Sequence, residues 1–132
     1  MPLLDGSVAV VTGGGRGLGR SHALTLAALG ASVVVNDVGA DTSGTGRDAA
    51  VAEAVAHEIV SAGGRAEADD SDVSTVAGAA ELVELARAAF GAVDVLVNNA
   101  GVSRRAVVEE LDDEMLDLHL GVHLKGTVGT TR

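Results

Sequence analysis

The chain has no cysteine, no tyrosine and no tryptophan, and only one phenylalanine and one proline in 132 residues. Without cysteine there are no disulfides, thiolate metal sites or cysteine nucleophiles, although the compartment stays open. Without large rings the core must be aliphatic, built from the Ala, Val and Leu that dominate a hydrophobic content of 47%. Basic residues are scarce as well. Nine Lys and Arg stand against nineteen Asp and Glu, a formal charge of −10, so long-range repulsion disfavours nucleic acid and anionic membrane surfaces as partners. The opening MPLLDGSVAVV lacks a basic region, and its apolar run is too short for a signal peptide or a membrane span. A cytoplasmic protein is the expectation. The length suits one domain, residues 1–132, with about two-thirds of its unfolded surface available for burial.

Glycine, by contrast, is plentiful, and it punctuates the pattern. Ser7 to Thr12 (SVAVVT) is a β-branched apolar run that stops at three consecutive glycines, as a strand buried on both faces would. Leu18, His22, Thr25 or Leu26 and Leu29 then fall on one side of a helix that Gly30 ends. Ser32 to Asn36 (SVVVN) is a second buried strand. Gly39 to Gly46 (GADTSGTG) reads as a flexible loop, followed by a helix from Arg47 to Ala62 with Val51, Val55 and Ile59 at four-residue spacing. Arg65 to Ala68 is a weak strand. Val76, Ala79 or Ala80, Val83, Ala86 and Phe90 mark a helix over Thr75 to Phe90 that Gly91 stops. Val93 to Val97 (VDVLV) is the next strand, and Asp112 can cap a last helix through Met115, Leu118 and Val122. This alternation predicts an α/β fold, a doubly wound parallel sheet with right-handed crossovers and strand order 3-2-1-4.

The run Thr12-Gly13-Gly14-Gly15-Arg16-Gly17-Leu18-Gly19 joins the first strand to the first helix. Such a turn needs residues that tolerate positive φ, and a pyrophosphate close to the backbone needs positions without a Cβ. Gly13 and Gly19 suit those needs. With Gly17 at the helix start, free N–H groups and the positive end of the helix dipole face an anion. The attraction is local, so a chain of charge −10 can still hold phosphates. A glycine-rich turn serving chain reversal alone is the competing reading. Asp37 ends the second strand about 25 residues after Thr12, where a carboxylate accepts hydrogen bonds from the ribose 2′- and 3′-hydroxyls of a dinucleotide. A 2′-phosphate there would meet a like charge, which favours NAD over NADP. Arg16 argues the other way, because a guanidinium beside the loop pairs with such a phosphate; Asp37 weighs more heavily.

The glycine run resembles the TGxxxGxG loop of the short-chain dehydrogenase/reductase family, and Asn98-Asn99-Ala100-Gly101 resembles that family's NNAG motif after the fourth strand. The resemblance extends end to end, over the N-terminal cofactor-binding half of a typical member. It implies a Rossmann-type fold, contacts of Asp72 and Val73 with the adenine ring, and Asn99, Ala100 and Gly101 along the cofactor's ribose. Asp72 also reads as a helix N-cap ahead of Ser74-Thr75. Val35-Asn36-Asp37-Val38-Gly39-Ala40-Asp41, the loop to Arg47, Gly63-Gly64-Arg65-Ala66 and Val122-His123-Leu124-Lys125-Gly126 resemble one branch, the hydroxyacyl-CoA dehydrogenase domain of peroxisomal multifunctional enzymes and related bacterial 3-oxoacyl reductases. In this branch a His often stands at position 123, where most of the family has Asn. That branch implies a β-hydroxyacyl thioester substrate.

The family's hydride transfer uses a Tyr as general acid/base, a Lys four residues later that lowers its pKa, and a Ser that orients the substrate oxygen. This chain has no tyrosine, and its only lysine, Lys125, lies on the wrong helix for that role. The catalytic set is therefore expected beyond these residues, with no catalytic or metal-ligating residue within them. His119 and His123 share a helix face but lack the glutamate of a HExxH site and read as packing residues. Glu67, Asp69, Asp70 and Asp72 read as a solvated turn. Ser103 lies where the family's substrate pocket begins, without a base to activate it. Two functions stay open, an oxidoreductase represented by its cofactor half and a nucleotide-binding or interaction module without chemistry. An uncovered fourth strand and last helix would favour marginal stability and self-association.

Overall fold

The structure, a computed structural model, describes residues 2–132. Four parallel strands, β1 (Val8–Thr12), β2 (Ser32–Asn36), β3 (Arg65–Asp69) and β4 (Val95–Val97), form one sheet in the order 3-2-1-4. The register runs Val8 opposite Ser32 through Thr12 opposite Asn36, and Ala9 opposite Val95 on the other side of β1. Helices α1 (Gly17–Ala28), α2 (Ala50–Ser61) and α3 (Val76–Phe90) are the crossovers.

Alternation along the strands divides the core in two. Ala9, Val11, Val33 and Val35 point to one face, where Ala23 of α1 and Ala52, Val55 and Ile59 of α2 cover them. Val10 and Val34 point to the other, against Val73 and, on α3, Leu82 and Ala86. Both faces being covered explains why β1 and β2 are continuous apolar runs. At the edge of the sheet, β4 is only half buried.

Three elements differ from their sequence pattern. The buried face of α1 is Gly19 and Ala23, not the Leu18, His22 and Leu29 side; Leu18 is 73% exposed. A helix that begins tight against the sheet needs small residues on its inner face, and these carry no strong hydrophobic signal. In α3 the buried set is Gly78, Ala79, Leu82 and Ala86, while Val76 faces solvent. The C-terminal helix is interrupted: α4 (Asp113–His119) and α5 (Gly126–Thr131) are joined by a π-helical stretch, Leu120–Lys125. Gly121 within it and Gly126 after it press on residues 73–74, where a Cβ on Gly121 would lie 3.3 Å from the Ser74 Cβ and one on Gly126 3.3 Å from the Val73 carbonyl oxygen. Leu116, Leu120, Leu124 and Val128 stand exposed at four-residue steps along these helices.

Because Ile59 is 2% exposed and joins α2 to the sheet, Ile59→Ala should lower unfolding free energy by about 2–5 kcal/mol in urea denaturation. Val60→Ala, at a position 52% exposed, should change it by less than about 0.5 kcal/mol.

Candidate functional site

The carboxyl ends of β1, β2 and β4 meet where the strand order reverses, the usual place for a crevice in an open α/β sheet. The backbone of the glycine loop is fixed from both sides there. Gly14 N–H donates to the Asn36 carbonyl at 2.8 Å, and Gly15 N–H to Asp37 Oδ2 at 3.0 Å. From β4, Asn99 Nδ2 donates to the carbonyls of Thr12 and Gly13, each at 3.1 Å. Thr12 Oγ1 in turn accepts from the N–H groups of Asn99 (3.0 Å) and Ala100 (2.9 Å). The two sequence motifs, distant in the chain, are thus one reciprocal hydrogen-bonded unit.

The glycines divide the work differently from the expectation. Gly13 (φ 61°) and Gly17 (φ 53°) are the left-handed positions. A Cβ on Gly19 would run into the Gly13 carbonyl oxygen, so this glycine allows the close packing of α1 on the loop. Among the loop glycines Gly13, Gly14, Gly15, Gly17 and Gly19, Gly17 alone opens onto free space, with nothing within 4 Å of where a Cβ would stand. Helix α1 starts there without a side-chain cap. Its first-turn N–H groups and the positive end of its dipole therefore face outward unneutralised by a side chain.

In front of them lies a cavity of about 290 Å³. All but two of the residues expected at the site line it: Gly13, Arg16 and Gly17 from the loop, Asp37 at the end of β2, Asp72 and Val73 before α3, and Asn99, Ala100 and Gly101 after β4. Leu18 and Gly19 do not line it. Asp37 is held rigidly, its second oxygen accepting from Gly39 N–H at 2.8 Å. Arg16 Nη1 donates to the Ala40 carbonyl at 2.9 Å, beside Asp37 on the same rim. Asp72 does not cap α3: Thr75 does, accepting from Gly78 N–H at 3.0 Å. Instead Asp72 accepts from the N–H and hydroxyl of Ser74 and pairs with Arg47 at 2.8 Å.

Sequence reading overlooked several contributors. Asn36 is buried and lines the cavity, its Nδ2 donating to Asp69 Oδ2 at 2.6 Å; a polar residue closing an apolar strand was the available signal. Asp69 is consequently no part of a solvated turn. The stretch after Gly39 is no free loop either, because Asp41 Oδ1 accepts from Ser43 N–H, Ser43 Oγ and Thr45 N–H. The Ser43 hydroxyl first, then the Thr45 N–H and more weakly Arg104, hold the Asp41 carboxyl below its ordinary 3.8. Asn98 turns away from the cavity, accepting from Thr130 Oγ1 at 2.6 Å on α5. His119 and His123 stack, ring centroids 6.2 Å apart. No cluster among the described residues is suited to a metal ion, and none of their helices is long and apolar enough to cross a membrane.

The family model for short chain dehydrogenases matches residues 7–132. The chain belongs to the short-chain dehydrogenase family. It is 48% identical over 126 residues to a short-chain type dehydrogenase/reductase of Mycobacterium tuberculosis, covering 96% of this chain and 44% of that protein. It is 42% identical over 129 residues to a hydroxyacyl-CoA dehydrogenase of the same organism, covering 98% and 39%. A short chain dehydrogenase of Burkholderia cenocepacia, solved in complex with NADP, superposes with a TM-score of 0.87 at 34% identity, over 97% of this chain and 49% of that one. The chain thus spans less than half the length of these relatives.

Removing the Thr12 hydroxyl would leave the Ala100 N–H without its acceptor and the Asn99 N–H with the Val97 carbonyl alone. Thr12→Ala should therefore cost about 1–3 kcal/mol of stability in urea denaturation, and Thr12→Ser should recover most of it.

Proposed function

We propose that these 132 residues are the cofactor-binding half of an NAD-dependent oxidoreductase that transfers hydride between a nicotinamide and a hydroxyl/carbonyl pair, with a 3-hydroxyacyl thioester as the substrate class. The observation that carries the reading is the uncapped start of α1, open at Gly17 onto a cavity whose rim holds an ordered aspartate. In that reading the first-turn N–H groups of Gly17 and Leu18 bind the pyrophosphate, with Gly13 and Gly19 allowing the loop its close approach to Asn99 and Ala100. Asp37 accepts the ribose hydroxyls, its orientation set in advance by Gly15 and Gly39. Asp72 and Val73 lie along the adenine, and Asn99, Ala100 and Gly101 along the second ribose. The bound nicotinamide supplies the hydride chemistry; the residues present here bind and orient.

NAD is favoured over NADP because Asp37 lines the cavity, and a 2′-phosphate would meet that charge. Arg16 offsets this in part from the same rim, and the solved Burkholderia relative holds NADP. Asp37→Ala should weaken NADH binding about tenfold and narrow the preference over NADPH, measured by fluorescence titration of both nucleotides. An unchanged ratio would remove Asp37 from the ribose site. Gly13 is a poor place for such a test, since a side chain there would press on Ala100 at 2.9 Å and disturb the fold first.

With no tyrosine in the sequence, the proton donor for the carbonyl oxygen must come from elsewhere. The 132-residue chain, purified alone, should bind NADH yet reduce or oxidise no alcohol or acyl thioester. It should also sediment above the monomer mass, the exposed Leu116, Leu120, Leu124 and Val128 stripe joining copies. Measurable turnover would contradict the first expectation, a strictly monomeric boundary the second.

A further inference from the structure

We propose that residues 39–47 are a strap that must lift to let the dinucleotide in and out, and that Arg104 is the latch holding it down. The inference rests on the cofactor reading above. Four features of the strap support it.

The first is its base, where Asp48 N–H donates to the Val38 carbonyl at 2.9 Å and pins the two ends together. Gly39 (φ 74°) and Gly46 (φ 88°) sit at those ends, in conformations that side chains resist and glycine passes through readily. The second is its interior. The three donors on Asp41, with Asp41 N–H to the Thr45 carbonyl at 2.9 Å, tie residues 41–45 into one rigid turn. Such a segment moves as a unit about its ends.

The third feature is where the strap lands. Ser103 N–H donates to the Thr42 carbonyl at 2.9 Å, and Arg104 Nε to the Ser43 carbonyl at 2.8 Å. Gly44 rests against Val102 and Leu118. Thr42 and Val102 both line the cavity, so these bonds join its two walls across the rim. The strap is therefore one wall of the cavity of about 290 Å³, and a dinucleotide entering or leaving passes along it. The fourth feature is that the receiving side is fixed. His119 Nε2 accepts from Arg104 N–H at 3.3 Å, and His123 Nε2 lies 2.9 Å from the Val102 carbonyl. Arg104 Nη1 pairs with Glu114 of α4 at 3.0 Å. The side that yields is therefore the strap; Arg104, its side chain 27% exposed, spans the gap at the landing point, while Arg16 reaches the Ala40 carbonyl and Arg47 reaches Asp72 nearer the strap's ends.

The test is stopped-flow measurement of NADH association and release, followed by fluorescence. In Arg104→Ala both rates should rise about tenfold while the dissociation constant moves by less than about threefold; a mere loss of structure would weaken binding without speeding association. Unchanged rates with intact binding would overturn the proposal. A second variant works in the opposite direction. The chain has no cysteine of its own, so Thr42→Cys with Ser103→Cys places the only thiol pair at the landing point. Oxidation should slow association and release by tenfold or more, and reduction should restore the rates. Equal exchange in both redox states would also overturn the strap. If the parent chain binds neither NADH nor NADPH, the cofactor reading fails, and this inference falls with it.

Discussion

The clamp between the end of β1 and the end of β4 is the constraint on which the rest depends. Thr12 gives its hydroxyl to two backbone N–H groups of the 99–100 segment, and Asn99 returns two bonds to the carbonyls of Thr12 and Gly13. Two side chains thus give partners to four backbone polar groups at a half-buried site. The arrangement draws the glycine loop so close to Ala100 and to α1 that Gly13 and Gly19 have no room for a Cβ. What remains facing outward is the start of α1, and so the site's electrostatics follow from packing behind it.

That geometry also accounts for how an acidic chain would hold the phosphates of the proposed cofactor. Long-range repulsion from a charge of −10 is screened within about a Debye length, whereas oriented N–H groups at a helix start act at contact distance. Each carboxylate that lines the cavity has partners of its own: Asp37 the N–H donors of Gly15 and Gly39, Asp41 the donors of Ser43 and Thr45, and Asp72 the guanidinium of Arg47. The strap and the rim are joined through Asp37, because it holds Gly39, where the strap begins. Position of the carboxylate and position of the strap are therefore set together.

Much of this was legible in the residues. Continuous β-branched runs gave β1 and β2, because strands covered on both faces show no alternation, and glycines marked nearly every turn. The strand order followed from the alternation of strands and helices. The glycine loop, Asp37 and the Asn-Asn-Ala-Gly turn pointed to one crevice because each is a backbone requirement visible in residue type. What stayed hidden has a common cause. The inner faces of α1 and α3 use Gly and Ala, the smallest residues, where packing is tightest, so hydrophobic periodicity pointed to Leu18 and Val76 on the outside. The π-helical turn at Leu120–Lys125 and the docking of Thr42 and Ser43 onto Ser103 and Arg104 are long-range fits between surfaces. No local pattern encodes them.

The most direct test of the central claim is an amide-resolved NMR titration of the 132-residue chain with NADH. The account predicts that the largest shifts fall on Gly13 to Gly19 and Asp37 to Thr42, with smaller ones at Asp72, Val73 and Asn99 to Gly101, while the far end of the sheet around Ser32 and Arg65 stays still. Shifts confined to other surfaces, or none at saturating NADH, would contradict it.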